Sequence, residues 1–304
     1  MTPLLQVSDL VIRYAGPKGP AAVAGVDLTV GTREIFGLVG ESGSGKSTLS
    51  MGVLGFLPAS AVITQGSIRL DGRDLRAAGK AEWRQVRWRE LAYVPQGAMN
   101  VLNPVQRVGA QFADMLRDHL GARLDAEWRE RIAALLQSVR LKPDVLDRFP
   151  HELSGGMKQR VCIAMAILFE PKLIIADEST SALDVVSQRV VLQTLSAVRD
   201  RIGASIILIG HDLALQAQVA DRVGILFAGR FVEIGPVDTI FQAPRHPYTR
   251  LLIASVPSIR HRDGIPMLAE PTPQERAQWQ AETEPLIEVG PGHLVAPRHA
   301  EEGQ

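Results

Sequence analysis

Gly40-Glu41-Ser42-Gly43-Ser44-Gly45-Lys46-Ser47 fits the phosphate-loop pattern of Gly, four residues, then Gly-Lys-Ser/Thr, without a mismatch. The apolar run Ile35-Phe36-Gly37-Leu38-Val39 before it reads as a buried strand. In the stretch after it, Leu49, Val53 and Leu57 have helical spacing. Glycines at these positions let successive backbone N–H groups turn toward an anion, and the helix start adds its partial positive charge. Lys46 would reach the β- and γ-phosphates, and the Ser47 hydroxyl would ligate Mg²⁺. A Gly/Ser-rich surface turn is the plainer reading, and the flanking strand and helix outweigh it.

The 304 residues are long enough for about two domains, or for one large domain with an appendage. Thirty-three basic against thirty-three acidic residues give no net pull toward nucleic acid or an anionic membrane. Between Arg69 and Glu90, seven basic and four acidic residues leave +3, read as a solvated helical face. A single cysteine, Cys162, excludes an intrachain disulfide and a cysteine-rich metal site, and its apolar setting makes it a buried structural thiol. The first residues lack an export signal, and the longest apolar run, Val161 to Phe169, is about half of a membrane-spanning helix. The expectation is a cytoplasmic protein that borrows membrane spans from other chains.

Working outward, Leu5–Tyr14 alternates enough for a strand, Gly16 to Gly25 reads as a loop, and Val26–Val30 as a second strand. Gly66–Gly72 and Leu91–Gln96 follow as strands, the latter ended by Pro95. Residues 105–169 turn helical, with Trp128, Ile132, Leu135 and Val139 on one stripe. Leu173–Ala176, a helix carrying Val191, Leu195, Val198 and Ile202, the strand Ser205–Ile209 and a hairpin over 223–234 complete an alternating α/β core with the helical block inserted. Beyond about residue 245 the composition shifts to Pro, Gln, Glu and Arg, which reads as an appendage.

Leu173-Ile174-Ile175-Ala176-Asp177-Glu178 supplies the second decisive element. A buried strand ending in Asp would aim Asp177 at Mg²⁺ beside the phosphates, and Glu178 would polarise the attacking water. The third is Leu153-Ser154-Gly155-Gly156-Met157-Lys158-Gln159-Arg160, a second anion-binding helix start. One nucleotide does not need two such loops, unless this one caps a nucleotide held by another subunit.

With these three elements the chain resembles the ATP-binding cassette family over nearly its whole length. The resemblance implies an α/β P-loop core with an N-terminal antiparallel β-subdomain, an inserted helical subdomain at about 98–170 within a cassette of residues 1–245, and an extension over 246–304. It implies nucleotide contacts from Gly40, Glu41, Ser42, Gly43, Ser44, Gly45, Lys46, Ser47 and Thr48, from Tyr14 stacking on adenine, and from Ser154, Gly155, Gly156 and Asp184 across a dimer interface. Glu178, His211 and Gln96 are the implied catalytic residues, with Ser47, Gln96 and Asp177 on the metal side. Two positions depart from the family: Ser179 replaces a Pro, and Gly210 replaces a Ser/Thr before His211. Pro restricts φ and Gly frees it, so each departure is expected to loosen the site without removing a catalytic group.

Gln96 to Val105, His246-Pro247-Tyr248-Thr249-Arg250 and Glu288 to His293 resemble segments of dipeptide/oligopeptide importer ATPases, and the form of the Leu153–Arg160 stretch resembles the D-type member of their D/F pair. The implied function is an Mg²⁺-dependent ATPase powering solute uptake at the cytoplasmic face of the inner membrane. The implied partners are an F-type ATPase subunit, two permeases and an external solute-binding protein, with no nucleic acid. Uptake of nickel or oligosaccharide is the alternative, and a non-transport cassette or a non-hydrolysing regulatory subunit are weaker ones. Some such extensions bind an iron–sulfur cluster through cysteines near a Val-Ala-Cys segment. Here Val295-Ala296 is followed by Pro297, so no cluster is expected.

Overall fold

The structure, a computed structural model, describes residues 3–97, 101–180, 183–255 and 271–300. The chain begins with β1 (Leu5–Tyr14), β2 (Ala21–Val30), β3 (Ile35–Val39), α1 (Lys46–Leu54), β4 (Ala61–Leu70), β5 (Arg73–Asp74), α2 (Lys80–Val86) and β6 (Leu91–Val94). There follow α3 (Val108–Leu120), α4 (Ala126–Ser138), α5 (Gly155–Ala166), β7 (Leu173–Asp177), α6 (Val185–Ile202), β8 (Ser205–Gly210) and α7 (Leu213–Gln216). The last elements are β9 (Arg222–Phe227), β10 (Arg230–Pro236), α8 (Val237–Gln242), α9 (Pro247–Ala254), α10 (Pro273–Gln280), β11 (Ile287–Gly290) and β12 (His293–Val295). They form two compact units, the first built from Met1–Val30, Ile35–Arg76 and Ile209–Gln304, the second from Gly31–Glu34 and Ala77–Leu208.

In the first unit an antiparallel sheet runs β2-β1-β4-β5, and a second sheet has the order β11-β12-β10-β9-β3, with β3 parallel to β9. Every residue of β3 is buried, as a strand covered on both faces requires. β2 starts at Ala21 rather than Val26: Ala21, Val23 and Ala24 pair with Arg13, Ile12 and Val11, and the irregular register falls beside Gly25 at φ +80°. α1 ends at Leu54 with Gly55 as its left-handed cap, so Leu57 lies outside the helix and its stripe rests on Leu49 and Val53. The basic run from Arg69 is divided among β4, β5, a loop and α2, so its solvated charges do not share one helical face.

Val39, Val223, Ile225, Phe227 and Val232 share one apolar core with Ile240, Tyr248 and Trp279. The polar C-terminal stretch thus contributes two large aromatic rings to the core under the phosphate-loop strand. Beside them, buried Glu233 accepts hydrogen bonds from the Arg245 and His246 amides at 2.9 and 3.0 Å and pairs with His293 Nε2 at 2.7 Å. His246, Glu282 and His299 bring three potential metal-ligand atoms within 4.8 Å of one another. His246 Nδ1, however, accepts from the Tyr248 amide at 3.0 Å, which leaves the hydrogen on Nε2 of the neutral ring. Without a lone pair on Nε2 the trio is a proton-bearing cluster, not a ligand set.

Burial lowers the pKa of His246, its main cause, against the opposing pull of Glu282. Burial alone would raise Glu282, but the flanking His246 and His299 hold its carboxyl below its usual range. Both shifts have the same consequence. Below about pH 6.5 the unfolded chain takes up a proton that folded His246 refuses, and below the usual carboxylate pKa Glu282 adds the same effect, so stability falls as pH falls. We expect the melting temperature to drop between pH 7.5 and 5.5, and His246→Asn, whose side-chain oxygen can replace Nδ1 as the capping acceptor, to flatten that slope. An equal slope in the variant would exclude His246 as its source.

In the second unit β6 and β7 are parallel neighbours, with the Ser205–Leu208 part of β8 on the other side of β7. Ile132, Leu135 and Val139 are buried as the stripe predicts, and Val191, Leu195 and Val198 bury one face of α6. α5 buries Val161 to Ala166, including Cys162, whose thiol burial pushes up to about 12 and keeps it protonated. Among the described residues no helix is long and apolar enough to cross a membrane.

Candidate functional site

The phosphate loop leaves β3 at Gly40, where a Cβ would lie 2.2 Å from the Leu226 carbonyl oxygen. At its other end Gly45 has φ +106°, and a Cβ there would meet the Ala22 carbonyl oxygen at 2.3 Å. Both positions therefore admit only glycine, one for space and one for space and conformation. Gly45 is the N-cap of α1 and offers no side-chain cap, and the first turn carries no acidic residue. The open amides and the helix dipole are left for an anion. Lys46 is 6% exposed, and its Nζ donates to the Gly40 and Glu41 carbonyls at 2.7 and 2.8 Å and lies 3.5 Å from Ser44 Oγ. Ser42, Gly43 and Ser47 face outward. Tyr14, at the end of β1, places its hydroxyl 3.3 Å from Thr48 Oγ1, so the tyrosine ring expected to stack on adenine sits beside the first turn of α1.

In the second unit Asp177 ends β7, 4% exposed. Tyr93 donates to its Oδ2 at 3.2 Å from the neighbouring β6, where Tyr93 pairs with Ile175. Burial, then the Asp177 charge, raise the Tyr93 pKa, so the phenol keeps its proton and acts as donor. Glu178 has φ +40°, a left-handed backbone that costs a non-glycine residue about 1–3 kcal/mol. That turn carries its carboxylate out of the strand to Gln96, whose Nε2 donates to Glu178 Oε2. The two residues expected around an attacking water are thereby in direct contact. Ser179 is 1% exposed, and its hydroxyl has no hydrogen-bond partner among the described residues.

Ser154 caps α5, its Oγ accepting from the Met157 amide at 3.3 Å, and is itself exposed. Gly155 and Gly156 form the first turn, where a Cβ on Gly156 would lie 3.1 Å from Ser187 Oγ. Ser187 in turn donates to Asp184, the N-cap of α6, through its amide at 2.9 Å and its hydroxyl at 2.7 Å. Those bonds from Ser187, hydroxyl first, hold the Asp184 carboxyl below its usual range. Ser181 and Ala182, and Ala98 to Asn100 after Gln96, lie outside the described residues. His211 is exposed directly after β8. Gly210 does not use its freedom: the Gln216 amide occupies the space where its Cβ would lie, 2.9 Å away, so the departure is matched by a neighbouring side chain.

The donors fit the groups the motifs imply. A glycine loop with open amides and a buried ammonium suits a phosphate chain, and the Ser47 hydroxyl, the Gln96 carbonyl and the Asp177 carboxylate are the hard oxygen donors that Mg²⁺ takes. Sequence reasoning missed Tyr93, because nothing in Leu91–Val94 signals that its register sets it against Asp177.

By fold and donor set this is a P-loop nucleotide-binding protein. The chain belongs to the ABC transporter family, whose model matches residues 23–181, and residues 232–280 match the oligopeptide/dipeptide transporter C-terminal region. It is 43% identical over 261 residues to a putative peptide import ATP-binding protein of Brucella abortus, covering 84% of this chain and 78% of that one. It is 41% identical over 262 residues to the oligopeptide transport ATP-binding protein OppD of Bacillus subtilis, covering 85% and 73%. A dimeric bacterial ABC transporter cassette, MJ0796, superposes with a TM-score of 0.67 at 24% identity over 77% of this chain and 98% of that one. Clostridium perfringens cbiO1, part of an ABC transporter complex, gives 0.67 at 25% identity over 79% and 91%.

Proposed function

We propose that this chain is the ATP-binding and ATP-hydrolysing subunit of an importer for dipeptides or oligopeptides. The observation that carries the substrate class is the match of residues 232–280 to an oligopeptide/dipeptide transporter region, because the phosphate loop and paired carboxylates are common to cassettes of many purposes. The names of the relatives from Brucella abortus and Bacillus subtilis point the same way. Residues 1–245 are the cassette, with the helical block at about 98–170, and residues 246–304 are the extension.

The residues Gly40–Thr48 hold the phosphates and Tyr14 the base. Ser47, Asp177 and Gln96 hold Mg²⁺, which when bound supplies charge neutralisation at the phosphate oxygens. Glu178 takes the proton of the attacking water, oriented by Gln96, and His211 contacts the γ-phosphate. Ser154, Gly155, Gly156 and Asp184 serve the nucleotide of a second ATPase subunit of F type, so each site is completed by the other chain. Two permeases supply the membrane path and an external binding protein supplies the solute, which places this subunit at the cytoplasmic face of the inner membrane.

Uptake of a radiolabelled tripeptide by cells lacking this chain tests the reading. Uptake is expected to be lost, restored by the wild-type chain, and not restored by Lys46→Ala. Unchanged tripeptide uptake together with lost nickel uptake would move the function to the metal-importing alternative.

A further inference from the structure

Glu41, the second residue of the phosphate loop, is held from the C-terminal stretch at two points. Its backbone N–H donates to Tyr248 Oη at 2.9 Å, and its carboxylate receives both terminal nitrogens of Arg276, at 3.2 and 3.0 Å. The peptide group that gives this N–H is the one whose carbonyl, Gly40 O, accepts from Lys46 Nζ at 2.7 Å. A single peptide unit thus hangs between the Tyr248 hydroxyl and the phosphate-binding lysine. We propose that Tyr248 and Arg276 are positioning residues of the phosphate loop, fixing the Gly40–Glu41 peptide and through it the resting place of Lys46. This rests on the reading of Gly40–Ser47 as the ATP loop.

Both anchors are themselves rigid. Tyr248 is 1% exposed, in α9, with its amide capped by His246 and its ring 4.7 Å from Phe227 and 6.4 Å from Trp279 between centroids. Burial pushes its hydroxyl up to about 12, so at neutral pH it remains a neutral phenol that accepts the Glu41 N–H without placing a negative charge beside the phosphates. Arg276 lies on α10, its guanidinium 5.9 Å from the Phe227 ring. Phe227 closes the arrangement, since β9 ends there and Gly229, just beyond, donates its amide to Ser44 O in the loop at 2.8 Å.

The ion pair is partly exposed, and solvent screening leaves it little energy of its own. Its contribution is geometric, because a two-bond fork fixes the carboxylate in plane as one ammonium could not. Such anchors act before the nucleotide arrives: they order a loop whose disorder would otherwise be subtracted from binding. What they hold is the loop that binds the phosphates and not a group proposed to take part in the hydrolytic step, so they bear on affinity and not on the rate at saturation.

Titration of the full chain with Mg-ATP, together with single-turnover hydrolysis at saturation, tests this. Tyr248→Phe removes one buried acceptor and is expected to raise Kd about 5–10-fold, with the saturated rate within about twofold. Arg276→Gln, a partly exposed change that leaves the core alone, should raise Kd about threefold, and Arg276→Lys should recover part of the loss. Arg276→Gln combined with Glu41→Gln should be no worse than the worse single change. Unchanged Kd in both Tyr248→Phe and Arg276→Gln, with Lys46→Ala binding no ATP, would overturn the proposal and leave the ATP reading standing. Failure of the unmodified chain to bind ATP would overturn both.

Discussion

Glu178→Gln is expected to bind ATP as the wild type does and to hydrolyse it about two to four orders of magnitude more slowly. The substitution is nearly isosteric. It keeps the left-handed backbone at φ +40° at unchanged cost, and its side-chain carbonyl can still accept from Gln96, which donates to Oε2 of Glu178. What disappears is basicity: an amide cannot take the proton of an attacking water. The phosphate loop, Tyr14 and Lys46 are untouched, so Kd for Mg-ATP should stay within about twofold. If the signature loop of a second subunit closes over the nucleotide, the unhydrolysed complex should also accumulate as a closed dimer, visible by size-exclusion chromatography with ATP and absent with ADP. Single-turnover hydrolysis is the deciding measurement. A variant that hydrolyses at the wild-type rate would show that another group accepts the proton, and Glu178 would then be a ligand or a spacer.

The parts of this site that sequence made legible are those where residue type and spacing are forced together. β3 had to be apolar throughout because it is buried on both faces, and Gly40 and Gly45 had to be glycine because carbonyl oxygens stand where their Cβ atoms would be. Ser154 is recognisable as a cap because a short polar side chain before a helix has few other uses, whereas Asp184, singled out only through the family resemblance, emerges as the N-cap of α6 from the structure. The start of β2 was hidden by alanines and a glycine, which carry little strand preference of their own and are held there by pairing with β1. The C-terminal stretch was hidden by composition: a segment rich in Pro, Gln and Glu shows no periodicity, although Tyr248 and Trp279 are buried in the core and Leu251, Leu252 and Ile253 pack against it. Tyr93 and Arg276 were out of reach for a third reason. Their partners lie 84 and 235 residues away along the chain, and only the register of β6 on β7, or the docking of α10 within its unit, brings them together. Gly210 gives the opposite lesson. Its conformational freedom was the natural concern, yet the position is defined by the Gln216 amide beside it.

Lys46→Ala is expected to remove measurable ATP binding while leaving the fold. Lys46 is buried in the loop with its Nζ on the Gly40 and Glu41 carbonyls, which is where an ammonium rests when it must be desolvated and still close to the phosphate position. Losing a charge-assisted contact to phosphate costs about 1.5–3 kcal/mol for each bond, or at least one to two orders of magnitude in Kd. The loss of a full positive charge from a partly dry cradle adds to that, because no other Lys or Arg lies within Gly40–Ser47 to replace it. The helix itself should survive, since alanine is the best helix former and Lys46 occupies the first position of α1. The two carbonyls that lose their donor lower stability by about 1–2 kcal/mol. These expectations separate cleanly in a thermal-shift experiment. A ligand at a hundred times its Kd stabilises the fold by about 2.7 kcal/mol, so millimolar ATP should raise the melting temperature of the wild-type chain and of Glu178→Gln alike. In Lys46→Ala the melting temperature should start slightly lower and not move. Lys46→Arg should behave in the same way, because a planar guanidinium is too large for a cradle that leaves the lysine 6% exposed. A full ATP-dependent shift in either variant would place the phosphate-binding cation elsewhere in the chain.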